Sequence, residues 1–257
     1  MKVLRIHNPF NSPVYHEETV TSTMDVSRKL AADGEGHGTV ITADFQEAGR
    51  GRVRGRLWQM ERGQNLSFTI LLRYSGIDKI PEALTLRAGL AAALVIEDLI
   101  PSLNGKVFIK WPNDIMISGK KAAGILCEAD GGNVHLGIGI NVMQTEFPAP
   151  LREKATSLFL EAQSEVSGIR NFLLEGMLGQ LFNELENSSN TDWIEQLAHR
   201  LYKKGEQVVF IDGAADSGKK IKGQLAGITK NGELLIIPDG ETCARSFITG
   251  ELTVTLV

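Results

Sequence analysis

The 257 residues suffice for one large domain, or a large domain with a small companion, with a core that needs no disulfide or metal staple. With 27 Lys and Arg against 31 Asp and Glu, the formal net charge is −4. That balance argues against a chain whose main task is to coat nucleic acid or an anionic membrane, so any anion chemistry must be local.

Met1 to Phe10 holds no uninterrupted apolar run, because His7, Asn8 and Pro9 break it before a signal peptide can form. The longest apolar stretch, Ala88 to Ile96, is far shorter than the roughly 20 residues that cross a bilayer. Cys127 and Cys243 fit neither a disulfide framework nor metal-ligand spacing, and a reducing cytoplasm is the expected compartment.

Along the chain, Ser22 to Gly34 reads as a short helix. Ser22 and Asp25 are spaced as a capping box, Gly34 is placed to end the helix, and the polar first turn reads as exposed. Thr39 to Phe45 and Asn65 to Tyr74 read as strands joined by a long glycine-rich connection. Glu82 to Leu99, rich in Ala and Leu, reads as a scaffold helix. Val107 to Trp111 is strand-like. Ile115 to Ile117 and Ala122 to Glu128 form a hairpin around Ser118, Gly119 and Lys120, and Val134 to Val142 adds a strand. Helices over Arg170 to Glu186 and Thr191 to Lys203 follow. Strands and helices without regular βαβ alternation make the fold class α+β. Beyond Lys204 come short β-rich runs, Gln207 to Asp212, Ile221 to Ile228, Glu233 to Pro238 and Ala244 to Leu256, which read as a small barrel or sandwich. The expected division is 1–203 and 204–257.

Gly49 to Trp58 interleaves four arginines with three glycines. Glycine lets backbone approach a ligand, the guanidinium fork matches carboxylate and phosphate oxygens, and an indole stacks on a base. Between two core strands, that pattern favours an anion site over a basic surface loop. Lys110, Trp111, Pro112, Asn113 and Asp114 form a second polar string, with Lys121 and Gly124 across the hairpin. It suits phosphate and magnesium contacts, and equally an ordinary turn. Gly137 and Gly139 in an apolar strand imply that something packs on bare backbone, either a ligand or a neighbouring element. Gly213 to Lys220 nearly spells a phosphate-binding loop, but Lys220 stands where a hydroxyl is needed and a strand follows, so it reads as a hairpin turn. The five histidines sit in no nucleophile or metal pattern.

Taken in order, Thr21-Ser22-Thr23, Gln46 to Trp58, Lys110 to Asp114, Lys121 to Leu126 and Gly137 to Asn141 resemble the biotin protein ligases, most clearly from Thr21 to Asn141. The resemblance implies a catalytic domain related to class II aminoacyl-tRNA synthetases followed by an SH3-like barrel. It also implies a two-step reaction. Biotin and magnesium-ATP give biotinyl-5'-AMP, and a lysine of a biotin carboxyl carrier protein, such as that of acetyl-CoA carboxylase, then displaces AMP.

Carried over by position, Ser22, Thr23 and Gln46 hold the biotin bicycle, with Gly49, Arg50, Arg52, Lys121, Gly124 and Gly137 around biotin and its carboxylate. Arg50, Arg52, Trp58, Lys110, Asn113, Lys121, Gly139 and Asn141 face ATP or the adenylate, Asn141 near the phosphate. Lys121, Arg50 and Asp114 are the catalytic set, and Asp114 is also the magnesium candidate. ATP and Mg2+ are the implied co-substrate and metal, with no tightly bound metal. Neither DNA nor a membrane is an expected partner, because the motif starts too early for an N-terminal DNA-binding domain; a monomer or homodimer is expected. The chain departs from the family loop, Gly-Arg-Gly-Arg, one residue, Gly-Arg, one residue, Trp, in having both Val53 and Arg54 before Gly55. That leaves Arg54 and Arg56 as solvent- or acceptor-facing charges. Lipoate ligases, which make a similar adenylate, carry an Arg-Arg-x-Ser-Gly-Gly-Gly signature that is absent here.

Overall fold

The computed structural model describes residues 1–53, 55–162, 166, 168–186, 192–214 and 216–253. Eight strands build the main sheet: β1 (Lys2–Val3), β2 (Val14–Glu17), β3 (Thr39–Ala43), β4 (Leu66–Arg73), β5 (Phe108–Lys110), β6 (Asp114–Ile117), β7 (Lys120–Asp130) and β8 (Asn133–Ile140). Their spatial order is β1-β2-β3-β4-β8-β7-β6-β5, antiparallel throughout except for the parallel β2–β3 pair. A parallel pair needs a crossover, and α1 (Thr23–Ala32) supplies it. The Ser22 side chain accepts the Met24 N–H at this helix's start, and Gly34 at φ +93° follows its end. The first turn is not the exposed face expected from its polarity: Thr23 and Met24 are buried.

Alternation along the central strands explains the layering. On β8, Val134, Leu136, Ile138 and Ile140 point one way, and Phe68, Ile70 and Leu72 of β4 join them. That face is covered by α2 (Leu84–Leu99), whose Gly89 backbone lies against Ile109, Ile115 and Ile125. Behind α2 pack α4 (Ile169–Glu186) and α5 (Trp193–Arg200), while the short α3 (Leu158–Ala162) precedes them. The opposite face carries His135, Gly137 and Gly139 of β8 beside Ser67 and Thr69 of β4 and Gly124, Leu126 and Glu128 of β7. It is small and polar, and α1 crosses it.

The C-terminal sheet has order β12-β11-β10-β9-β13, from β9 (Gln207–Asp212), β10 (Lys219–Ile228), β11 (Leu234–Pro238), β12 (Arg245–Phe247) and β13 (Glu251–Thr253). The single run expected from Ala244 onward is two strands on opposite edges of this sheet, separated by a reversal at Gly250. Its last residues, 254–256, lie outside the described set. Asp212 pairs with Lys219, so Gly213 to Lys220 closes a hairpin, as read from the sequence. Trp111 connects the two sheets. Its ring meets Phe210 at 6.0 Å and its Nε1–H donates to Gly232 O at 3.0 Å. No helix among the described residues is long and apolar enough to cross a membrane.

Candidate active site

The small polar face is the floor of the site. A Cβ on Gly137 would lie 2.7 Å from Met24 Sδ, and one on Gly139 would lie 2.6 Å from Trp58 Cε2. Both bare stretches of backbone are therefore covered by the protein's own side chains, one from α1 and one from the arginine-glycine loop. Packing by neighbouring elements, one of the two readings of these glycines, is present at both. A Cβ on Gly124 would sit 3.0 Å from Lys121 Cε and 3.5 Å from Trp58 Cζ3, so Trp58 spans both glycine strands.

At the N-terminus of α1, Thr69 donates to Thr23 Oγ1 at 2.9 Å. The Thr23 hydroxyl and backbone N–H in turn donate to Gln46 Oε1 at 3.2 and 2.9 Å. This chain of bonds fixes Gln46 beside Ser22 and Thr23, the three residues expected at one ligand head.

The loop from Gly49 to Trp58 folds back on itself. Trp58 N–H donates to Gly49 O, Gly51 N–H to Arg56 O and Arg56 N–H to Val53 O, with Gly55 at φ +84°. The limbs stay paired through the bridge between Arg50 and Leu57; Arg54 itself lies outside the described residues. Each described arginine of the loop has a partner. Arg50 Nη2 donates to Asp25 Oδ1 at 2.8 Å and stands 3.7 Å from Glu128 Oε2. Arg52 donates to Gly250 O at 2.9 Å, and Arg56 pairs with Glu251 Oε1 at 2.9 Å. The loop is thus tied to α1 and β7 on one side and to the C-terminal sheet on the other. The hydrogen bond from Arg50 holds the Asp25 carboxyl below its ordinary value.

Across the sheet, Lys110 and Asp114 face each other on β5 and β6. Lys121 Nζ meets Asp114 Oδ1 at 2.6 Å and lies 5.9 Å from the Trp58 ring centroid. Strand alternation alone would put Lys121 and Gly124 on opposite faces. A register shift between Ile115 and Met116 pairs Met116 with Lys121, and this bulge turns the lysine toward Asp114. Burial pushes the Lys110 ammonium below the ordinary lysine value, partly countered by Asp114 and Glu251. Two polar atoms here are buried without a hydrogen-bond partner, Trp58 Nε1 and Asn141 Oδ1. Among the described residues no group of three His, Cys, Asp or Glu is arranged to hold a metal ion.

Residues 17–144 match the Biotin/lipoate A/B protein ligase family. The bifunctional ligase/repressor BirA of Bacillus subtilis (strain 168) is 38% identical over 161 residues, covering 60% of this chain and 48% of that protein. The biotin--[acetyl-CoA-carboxylase] ligase of Mycobacterium tuberculosis is 35% identical over 144 residues, covering 55% and 52%. This chain therefore spans about half the length of the curated relatives it matches. A biotin protein ligase from Aquifex aeolicus, solved with biotin and ATP, superposes with a TM-score of 0.78 at 26% identity, covering 93% of this chain and 97% of that one. Residues 17–144 are a biotin/lipoate ligase domain. Its fold is that of the biotin protein ligases, a catalytic part like class II aminoacyl-tRNA synthetases followed by a C-terminal β-sheet domain.

Within this ligase fold, Ser22, Thr23, Gln46, Gly49, Trp58, Lys121, Gly124, Gly137 and Gly139 gather on one face of the main sheet. Lys110 and Asp114 lie at its β5–β6 end. Two asparagines have side-chain bonds that their sequence pattern did not announce. Asn113 Nδ2 donates to Ile125 O at 2.7 Å, fastening the turn after β5 to β7. Asn141 Nδ2 donates to Thr156 O at 2.9 Å, while its Oδ1 has no partner. Arg52, expected over the adenylate, donates to Gly250 O. Sequence reasoning missed Asp25 as the partner of Arg50, although its place in the first helical turn marked it as an acid with a task. It also missed Glu128 and Glu251, whose surroundings in the chain carry no motif.

Proposed function

We propose that this chain is an ATP-dependent ligase that activates biotin as biotinyl-5'-AMP and transfers it to a specific lysine of a biotin carboxyl carrier protein, that of acetyl-CoA carboxylase or a similar enzyme. The observation that carries the reading is the Lys121–Asp114 pair, 2.6 Å long, set beside the Trp58 ring on a glycine-bared face in a chain with this fold. In this reading residues 1–203 carry the chemistry in the cytoplasm, and 204–257 anchor the arginine loop through Gly250 and Glu251.

In the first step a biotin carboxylate oxygen attacks the α-phosphorus and the bond to pyrophosphate breaks. Two anions approach each other, and the Lys121 ammonium with the Arg50 guanidinium offsets that repulsion in a partly dehydrated site. In the second, a neutral lysine amine attacks the acyl carbon, the acyl–oxygen bond breaks and AMP leaves with the electron pair. A free lysine has a pKa of about 10.4, so the incoming ammonium must give up a proton, and Asp114 is the carboxylate offered to it. Ser22, Thr23 and Gln46 supply the mixed donors and acceptors that a ureido ring needs.

The buried indole Nε1–H of Trp58 is a donor without an acceptor, and Asn141 Oδ1 is an acceptor without a donor. Together they suit a purine edge, which offers a ring nitrogen and an exocyclic amine, better than a phosphate, which a carboxamide oxygen repels. Asn141 is accordingly assigned to the adenine rather than to the phosphate. Magnesium would arrive on the ATP phosphates, with Asp114 as the protein carboxylate beside it, since Mg2+ keeps several waters and needs no protein cage.

ATP–pyrophosphate exchange with biotin, lipoate or neither tests the reading. Biotin-dependent exchange is expected, and stimulation by lipoate alone, or by neither, overturns it. Lys121→Ala should slow that exchange about 100-fold, on the order of 3 kcal/mol of barrier, while near wild-type exchange would remove Lys121 from the mechanism.

A further inference from the structure

We propose that Asp25 is a positioning residue for Arg50. The proposal rests on the reading of Arg50 as a cation that faces the reacting anions. Asp25 is the third residue of its helical segment counted from Thr23, where an acid could close a capping box with the Ser22 backbone. Its carboxylate turns outward instead, accepting from Arg50 Nη2 at 2.8 Å and also bonding Thr21. Glu128 Oε2 stands 3.7 Å from the same Arg50 nitrogen and receives Arg28 Nη2 at 2.6 Å. Four charges from three separate elements therefore alternate in sign: Asp25 and Arg28 on α1, Arg50 in the loop, Glu128 on β7.

The row is neutral as a whole, so it adds no net repulsion to an arriving anion. Asp25 and Glu128 converge on one guanidinium nitrogen, Nη2. An arginine gripped at one corner has its rotamer fixed before ligand arrives, while its remaining N–H groups keep the fork geometry that matches carboxylate and phosphate oxygens. Asp25 contacts no reacting atom. It acts through the orientation of Arg50.

The test uses the purified full chain and biotin-dependent ATP–pyrophosphate exchange. Asp25→Asn, which keeps the size and removes the charge, should lower the exchange kcat about fivefold, the upper range for a partly exposed ion pair, with biotin affinity unchanged. Asp25→Glu should recover at least half of that loss. In an Arg50→Ala background, where the partner is gone, Asp25→Asn should change the residual rate by less than twofold, whereas a role in helix capping would persist. An Asp25→Asn rate within twofold of wild type, a rate above wild type, or an equal loss in both backgrounds would overturn the proposal. A wild-type chain without biotin-dependent exchange would instead refute the ligase reading on which it rests.

Discussion

Alanine at Gly139 tests whether the indole of Trp58 is a fixed wall of the site. The new Cβ would fall 2.6 Å from Cε2, 2.7 Å from Cζ2 and 3.0 Å from Nε1 of Trp58. Carbon atoms settle about 3.5–4.0 Å apart, so the ring must retreat by roughly 1 Å. It cannot do so freely, because Trp58 N–H is bonded to Gly49 O and Arg50 is bridged to Leu57. Overpacking of this kind costs about 1–3 kcal/mol. Gly137→Ala, two residues earlier on the same strand, meets Met24 Sδ at 2.7 Å, a flexible thioether that can repack, and a cost below about 1.5 kcal/mol is expected. Urea unfolding of both variants, with the KM for ATP in the exchange assay, gives the comparison. Gly139→Ala should be the less stable and should raise the KM for ATP, and in a Trp58→Ala background its stability penalty should vanish. Equal stability of the two alanine variants, or a Gly139→Ala penalty that survives the loss of Trp58, would refute the wedge.

Three other expectations follow from particular contacts. Trp111→Phe keeps the ring against Phe210 but leaves the buried Gly232 carbonyl without its donor, and should cost about 1–3 kcal/mol in denaturant unfolding. His135 is buried with Nδ1 2.8 Å from Ser27 Oγ, and burial holds its pKa below the ordinary 6.5. The unfolded chain then binds the extra proton, so its contribution to stability is present above pH 6.5 and lost as the pH falls toward the depressed folded value; His135→Asn should remove up to one proton from the acid-side slope of unfolding free energy. Burial pushes the Cys127 thiol up to about 11, whereas Cys243 is exposed, so iodoacetamide at neutral pH should label Cys243 at least about tenfold faster, read by peptide mass spectrometry.

Local patterns in the sequence carry the order of most strands and helices, because period-2 alternation in β4 and β8 and the Ser118-Gly119 turn act over a few residues. Gly137 and Gly139 are legible as places of close backbone approach, but not the identity of what approaches, since Met24 and Trp58 lie more than 80 residues away in the chain. Asp25 illustrates the opposite failure. A local rule assigned it to the helix cap, and a charge 25 residues away took it instead. The docking of Arg52 and Arg56 on Gly250 and Glu251 spans about 195 positions, and no short-range pattern encodes it. The side chains of Asn113 and Asn141 looked free for ligand because their backbone acceptors, Ile125 and Thr156, become neighbours only when the strands pair.

The bulge that aims Lys121 makes the site tolerant of a lost residue on one side, as the arginine-glycine loop makes it tolerant of a gained one on the other. Ala122 is the extra residue of that bulge, and deleting it would leave Lys121 two residues before Gly124, so plain alternation would keep the ammonium on the face of Asp114. A single lost codon there would straighten the strand without moving the cation to the core side. At the tip between Val53 and Arg56, where the limbs of the loop are already paired behind the turn, a codon can be gained and the frame of the site stays as it was. Length variation among natural variants of this chain should therefore appear as gains at that tip and as losses at 122.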